Sequence, residues 1–247
     1  MKRALVTLAI EERYLGPWRE FARAGWEEYA RRFDLDLIEI TEPIDRSARA
    51  GLRSPAWQKC LIPNQPWAAQ YDRILWVDSD IVVNTAGAGD LLSEVPAEKV
   101  GALVDASQPF FITPGWRRVY HPHYYTEWGL PSDWGSGMNT GVLTITPRLH
   151  AELFQYVYDN YEGRPGPEWH YEQRPLAWHL FDAGLVYPID SRYNFGWARD
   201  RFLHYPFLLP ERPDYAELAR LCMQSSLSRA YFLHFAGCHG DMQYLST

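Results

Sequence analysis

The sequence predicts an α/β fold with a mostly parallel central sheet flanked by helices, and three observations carry that expectation. Short apolar runs alternate with segments of helical periodicity through the first third of the chain, the pattern of successive βαβ units. Two apolar runs end directly in carboxylates, Asp78 and Asp105, and ligands of such sheets sit at the carboxyl ends of the strands. A length of 247 residues suits one sheet-centred core, so residues 1–247 are read as a single domain.

Ala4 to Ala9 read as a short strand, and Gly16-Pro17 opens a helix in which Trp18, Phe21, Gly25, Trp26, Tyr29 and Phe33 recur at helical spacing. Leu35 to Ile40 form the next strand. Ser54-Pro55 supplies a cap followed by proline at the first helical position, and this second helix is expected to stop near Pro63, where a backbone donor is lost. Arg73 to Val77 make the strand that delivers Asp78, and Val100 to Val104 the strand that delivers Asp105. Gly141 to Thr146 read as a further strand leading into a helix from Pro147, with Leu149, Leu153, Phe154 and Val157 on one side. Between Asp105 and Gly141 the periodicity fails over a ring-rich stretch that includes Trp116, Tyr120, Tyr124, Tyr125, Trp128 and Trp134. A segment this long without pattern is usually functional. Within it, His121-Pro122-His123 reads as an irregular turn more than as a zinc site.

A formal charge of −7 and a pI near 5.6 argue against a nucleic-acid backbone as the main partner. No apolar stretch reaches the ~20 residues that span a bilayer, and the start at Met1 to Val6 is too short for a signal peptide, so a soluble, cytoplasmic protein without a transmembrane segment is expected. Cys60, Cys222 and Cys238 are an odd count without CxxC spacing, which indicates neither a disulfide scaffold nor a zinc ribbon. Most of the 11 Trp and 16 Tyr belong in a core, but rings in excess of what a core needs are the side chains that stack on sugar faces.

Asp78 and Asp80 are the most informative pair. Residues i and i+2 of a strand share a face with Cα atoms about 6.5–7 Å apart, so one hard cation can lie between the two carboxylates. A cation held there can carry a diphosphate, which a chain of net charge −7 has few other ways to tolerate. The competing reading is a strand that ends in a polar turn with two solvated aspartates.

The segment Tyr71-Asp72-Arg73-Ile74-Leu75-Trp76-Val77-Asp78-Ser79-Asp80-Ile81-Val82-Val83 resembles the Asp-x-Asp segment of the retaining GT-A glycosyltransferases. That group contains glycogenin, bacterial lipopolysaccharide galactosyltransferases and fungal α-mannosyl- and galactosyltransferases. Met138-Asn139-Thr140-Gly141-Val142-Leu143, Glu172-Gln173 and Leu233-His234-Phe235-Ala236-Gly237-Cys238 are similar to three further segments of the group, in the group's order, so the resemblance spans about residues 1 to 240.

The resemblance implies a single Rossmann-like GT-A domain, with residues 1–105 mainly holding the nucleotide and 106–247 mainly the acceptor. It implies a hexosyltransferase that moves a sugar from a nucleotide-diphosphate sugar, UDP-linked in preference to GDP-linked, to a hydroxyl acceptor such as a glycan, with retention of anomeric configuration. Asp78, Asp80 and His234 would hold Mn²⁺ or Mg²⁺, and a mixed oxygen and imidazole set suits Mn²⁺ better. Thr7 and Tyr14 fall in the loop that holds the base, with Tyr14 as a stacking ring. Lys59 matches a basic donor contact, and Asp78, Asp105 and Asn139 match contacts to ribose or sugar. Gln173 would lie beneath the anomeric carbon on the face opposite the leaving diphosphate, with Glu172 beside the sugar or acceptor. Glutamine is a poor nucleophile, which favours internal return over a glycosyl-enzyme. The ring-rich segment would take the acceptor, with Trp128 as its contact. Relatives of the glycogenin type carry Lys-Pro-Trp where this chain has Cys238-His239-Gly240-Asp241, so Gly237 and His239 are the expected phosphate contacts, His239 in the lysine's place.

Each residue has a plainer reading: a surface ring for Tyr14, a turn for Asn139-Thr140-Gly141, a strand-end carboxylate for Asp105, a core histidine for His234. Two other classes compete as well. A haloacid-dehalogenase-like sugar phosphatase also uses Asp-x-Asp after an apolar strand, but that motif begins its domain, and its later acidic pair has no room after Gly240-Asp241. A noncatalytic sugar-binding protein would account for the rings but not for the metal triad.

Overall fold

The computed structural model describes residues 1–108, 125–131, 137–162, 171–210 and 213–245. Trp116, Tyr120, His121, His123, Tyr124 and Trp134 of the ring-rich stretch lie outside the described residues. The strands are β1 (Arg3–Leu8), β2 (Asp36–Ile40), β3 (Arg73–Val77), β4 (Ile81–Val83), β5 (Val100–Val104), β6 (Met138–Ile145), β7 (Val186–Pro188), β8 (Phe195–Gly196) and β9 (Phe232–His234). A six-stranded sheet runs in the order β2-β1-β3-β6-β5-β7, with β1 parallel to β2 and β3, and β5 parallel to β7. Among the described residues only β6 opposes its neighbours, pairing antiparallel with β3 and β5, so the sheet is mostly parallel as expected. A three-stranded sheet, β4-β9-β8, adds a second layer that the sequence pattern does not announce.

Two-residue alternation sorts the central strands between two apolar clusters. Leu5, Leu75, Val77 and Val142 join one cluster with Trp18, Trp26, Tyr29 and Phe232. Ala4, Val6, Ile74, Trp76, Leu143 and Ile145 join the other with Trp57, Ile62, Phe154 and Leu180. The sheet is covered on both faces, which is why its strands read as continuous apolar runs.

Three helices differ from the sequence expectation. The first helix begins at Glu12 and takes Pro17 inside it; a π turn, Trp18–Ala22, follows the proline at once and leads into Arg23–Arg32. Proline cannot donate to the turn before it, and a widened turn is one way to carry the helix past the gap. The Trp18 and Trp26 rings then meet edge-on at 5.8 Å, and Trp26 Nε1 donates to the Ile81 carbonyl at 2.8 Å, which ties the helix to β4. The segment after Ser54 is a 3₁₀ helix, Pro55–Asn64, capped as expected by the Ser54 hydroxyl but continuing through Pro63. In Pro147–Asn160 the buried side chains are Pro147, His150, Phe154, Val157 and Tyr158, whereas Leu149 is 47% exposed. His150 turns inward because its Nδ1 accepts the Thr146 N–H at 3.0 Å, so a polar ring takes the place foreseen for a leucine.

Strand β6 starts at Met138, ahead of the expected Gly141, and takes Asn139 and Thr140 into the sheet. Cys60, Cys222 and Cys238 are free thiols. Among the described residues no helix is long and apolar enough to cross a membrane.

The β5–β6 contact is the tightest test of this packing. A Cβ on Gly101 would lie 2.8 Å from Val95 Cγ2, 2.9 Å from Thr144 Oγ1 and 3.0 Å from Ile189 Cγ2. Gly101→Ala is expected to destabilise the protein by about 1–3 kcal/mol through overpacking, read as a lower melting temperature in thermal unfolding.

Candidate functional site

The site is assembled at the carboxyl edge of the main sheet. Strand alternation puts Ile74, Trp76 and Asp78 on one face, and Trp76 Nε1 donates to Asp78 Oδ1 at 2.9 Å. Asp78 N–H donates to the Gly141 carbonyl at 2.8 Å, extending the β3–β6 ladder by one rung and fixing where the carboxylate emerges. Asp80 lies in the turn between β3 and β4. The next residue, Ile81, pairs with His234 on β9, and Phe235 N–H donates to the Asp80 carbonyl at 2.9 Å. The small second sheet is thus the device that brings a histidine from far along the chain to the two aspartates.

Asp78, Asp80 and His234 each offer one ligand atom, all within 4.8 Å of one another, as the sequence reading requires. His234 Nε2 stands 3.2 Å from Asp80 Oδ1. Burial works against charge on both groups, yet their mutual attraction wins: Asp80 is held below the usual carboxylate range by His234, with His239 adding to the effect, and His234 is raised by Asp80. Two carboxylates and an imidazole form a donor set that could hold a metal ion. His234 can seat there only because residue 141 is glycine: a Cβ would lie 2.4 Å from His234 Cε1.

Lys59, the expected basic donor contact, is engaged within the protein. It projects from Pro55–Asn64, is 3% exposed, and its Nζ reaches Asp78 Oδ1 at 3.0 Å, Glu172 Oε1 at 3.0 Å, and the Thr140 carbonyl at 3.2 Å. The ammonium is an internal counter-ion, with its hydrogens spent within the protein. Burial lowers the Lys59 pKa, but Asp78 and Glu172 outweigh that and raise it. Glu172 shifts up as well, because burial exceeds the relief from Lys59 and Asp78 repels it. The two directions are consistent: one cation shared by two acids is held firmly, while each acid is only partly compensated. Glu172 is 2% exposed, and its Oε1 also accepts the Thr140 hydroxyl at 2.8 Å. Gln173 follows at the start of Gln173–Asp182, with its Oε1 accepting the Thr140 N–H at 3.3 Å.

Tyr14 is half-buried and packs its ring on His239 at a centroid distance of 4.9 Å, so two residues expected to touch the donor touch each other beside Asp80. Thr7 is fully buried in β1, which leaves Tyr14 as the accessible member of that loop pair. Gly237, at φ 71°, makes the left-handed turn that leads the chain from β9 to His239. Asp105 follows β5 at the same edge. Its Oδ2 is buried without a hydrogen-bond partner among the described residues, and burial pushes its pKa up to about 7 against the pull of Arg199. Asn139 Oδ1 accepts the Gly141 N–H at 2.8 Å and Asn194 Nδ2 at 2.7 Å. The Trp128 ring is engaged in packing, 5.7 Å from Trp57 and 6.3 Å from Tyr161.

Two contributors escaped the sequence reading. Thr140 touches Lys59, Glu172 and Gln173, and Asn194 joins Asn139 to His234. An asparagine between two aromatic residues, Tyr193 and Phe195, was the local signal for Asn194.

No protein-family model and no curated protein matches the sequence. Solved structures do match. The chain superposes on a glycosyltransferase involved in the glycosylation of the major capsid of PBCV-1 with a TM-score of 0.58 at 17% identity, covering 98% of this chain and 99% of that one. It superposes on the apo form of the bifunctional glycosyltransferase WbbM with a TM-score of 0.56 at 13% identity, covering 100% of this chain and 50% of that one. The structural neighbours are glycosyltransferases, and the fold is the GT-A fold.

The stranded carboxylate has a measurable signature. Burial holds the Asp105 pKa at about 7 in the folded protein, above the ordinary aspartate value of about 3.8, so its contribution to stability is fully present below about pH 4 and is lost as the pH rises towards 7. Asp105→Asn removes the ionisation. The variant is therefore expected to gain melting temperature over the wild type at pH 8 and to gain far less at pH 5, measured by thermal unfolding across that range.

Proposed function

We propose that this protein is a metal-dependent, retaining glycosyltransferase that moves a hexosyl group from a nucleotide-diphosphate sugar, preferably UDP-linked, to a hydroxyl of a glycan. The observation that carries the reading is the meeting of Asp78, Asp80 and His234 within 4.8 Å at the carboxyl edge of a GT-A sheet. A Mn²⁺ or Mg²⁺ ion on those three residues would neutralise the diphosphate and stabilise it as a leaving group.

In this reading the first half of the chain holds the nucleotide and the second half mainly the acceptor. Tyr14 stacks on the base, and His239, with the Gly237 turn behind it, donates to a phosphate oxygen. Asp105 and Asn139 hydrogen-bond sugar hydroxyls; the buried, protonated form of Asp105 can donate as well as accept. Lys59 acts one step back, keeping Asp78 and Glu172 in register.

The engagement of Gln173 and Glu172 supports internal return. The Gln173 amide oxygen accepts from Thr140 N–H, and Glu172 Oε1 is bound by Lys59 and the Thr140 hydroxyl, so neither atom is a free nucleophile or base. The acceptor hydroxyl attacks the anomeric carbon from the side on which the diphosphate departs. The C–O bond to phosphate breaks with its electron pair on the diphosphate, the new C–O bond forms, and the hydroxyl proton passes to a diphosphate oxygen. Glu172 and Gln173 support the electron-poor sugar from the opposite face.

Chelation with excess EDTA is expected to abolish transfer and donor hydrolysis, and Mn²⁺ to restore both. Asp80→Asn should lower the rate roughly 10²–10³-fold while circular dichroism stays unchanged. Full activity in EDTA would sink the metal assignment. The stereochemical expectation is an α-linked product from an α-linked nucleotide sugar. Proton NMR of the first product formed from a gluco- or galacto-configured donor decides it, because a large, β-type anomeric coupling would overturn the mechanism.

A further inference from the structure

We infer that Asn194 is a positioning residue for the cation site: a buried relay from Gly141 N–H through Asn139 and Asn194 to His234 sets which imidazole nitrogen faces Asp78 and Asp80. The inference rests on the metal-dependent reading above and deepens it, since it makes cation affinity depend on residues that do not touch the cation.

The relay has one anchored end. A backbone N–H can only donate, so the atom of Asn139 that lies 2.8 Å from Gly141 N is its carbonyl oxygen. That same oxygen lies 2.7 Å from the Asn194 side chain, and an oxygen there demands the NH2 end of Asn194. The other end of the Asn194 amide is then its oxygen, 2.7 Å from His234 Nδ1. An amide oxygen only accepts, so Nδ1 carries a proton and Nε2 is the nitrogen offered to a cation. Nε2 is indeed the atom that stands 3.2 Å from Asp80 Oδ1.

Burial makes the arrangement obligatory. Asn194 is 2% and His234 3% exposed, so water cannot replace either bond, and turning the Asn194 amide over would set oxygen against oxygen on one side and N–H against N–H on the other. The backbone holds Asn194 in place from both directions. It ends the 3₁₀ turn Ser191–Asn194, which the Asp190 side chain caps through Arg192 N–H, and it enters β8, where Gly196 pairs with His234 itself. Asn139 Oδ1 is consumed by the relay, while its Nδ2 makes no hydrogen bond among the described residues, so the NH2 end of Asn139 is the end left for a ligand oxygen.

The test reads Mn²⁺ binding directly, from free Mn²⁺ in electron paramagnetic resonance titrations of the full chain. Asn194→Ala removes the acceptor for Nδ1–H and is expected to weaken Mn²⁺ binding roughly 10–100-fold. Asn194→Asp keeps an acceptor for Nδ1–H while setting an oxygen against Asn139 Oδ1, and is expected to lose clearly less affinity than Asn194→Ala. Asn139→Leu breaks the relay one residue further from the cation and is expected to weaken Mn²⁺ binding, whereas Asn139→Asp, which keeps the accepting oxygen, is not. Wild-type affinity in Asn194→Ala, or equal loss in Asn194→Ala and Asn194→Asp, would overturn the relay. A wild type that binds no Mn²⁺ would instead overturn the metal-dependent reading and the relay with it. Should the alanine variant fail to fold, ¹⁵N-histidine spectra of the wild type with Mg²⁺, assigned with His234→Gln, decide the point: a protonated Nδ1 on His234 is expected, and an unprotonated Nδ1 refutes the relay.

Discussion

The candidate site depends on the antiparallel insertion of β6 between β3 and β5. In a parallel strand, residues that open the strand lie at the amino edge of the sheet, away from the ligands. Because β6 runs the other way, its first residues arrive at the carboxyl edge, beside the ends of β3 and β5. Asn139 there turns its amide to Asn194, Thr140 touches Lys59, Glu172 and Gln173, and Gly141 binds the Asp78 N–H while leaving space for the His234 ring. One short tripeptide contacts most of the charged groups of the site.

Charge is managed by pairing within that frame. Asp78, Asp80 and Glu172 gather in a protein that is already net negative, and bringing three acids together is unfavourable unless cations accompany them. Lys59 supplies one from the helix side, and the His234 imidazole faces Asp80 from the second sheet. Lys59 is shared by Asp78 and Glu172 and compensates each in part, while Asp78, Asp80 and His234 are placed so that they could hold a metal ion. At Asp105 burial outweighs the pull of Arg199, and Oδ2 has no hydrogen-bond partner among the described residues.

Much of this was legible from residue pattern. Apolar runs of the right length gave β1, β2, β3 and β5 to within a residue, because continuous burial on both faces leaves a continuous apolar signature. The Asp-x-Asp pair and the distant His-Phe-Ala-Gly segment pointed to the residues that do converge. Helix details were less legible. Pro17 reads as a helix start, yet it lies within a helix because a π turn bridges the missing donor, and Leu149 reads as core although His150 takes the inward position through a hydrogen bond to Thr146. Propensity and periodicity describe single segments, and in these places a contact outside the pattern prevailed.

The sequence by itself determined which chemistry is available: two carboxylates at the end of a buried strand, a later histidine in an apolar strand, an acidic balance and a glycine after Asn139-Thr140. Only the tertiary structure decided what each group touches. Lys59 pairs with Asp78 and Glu172, Trp128 packs beside Trp57, and Asn194, with no periodic or motif signal, links His234 and Asn139. The physical reason is that burial and hydrogen-bond partnership depend on the direction in which strands pair, and strand direction is set by packing across the whole sheet, which no local run of residues encodes.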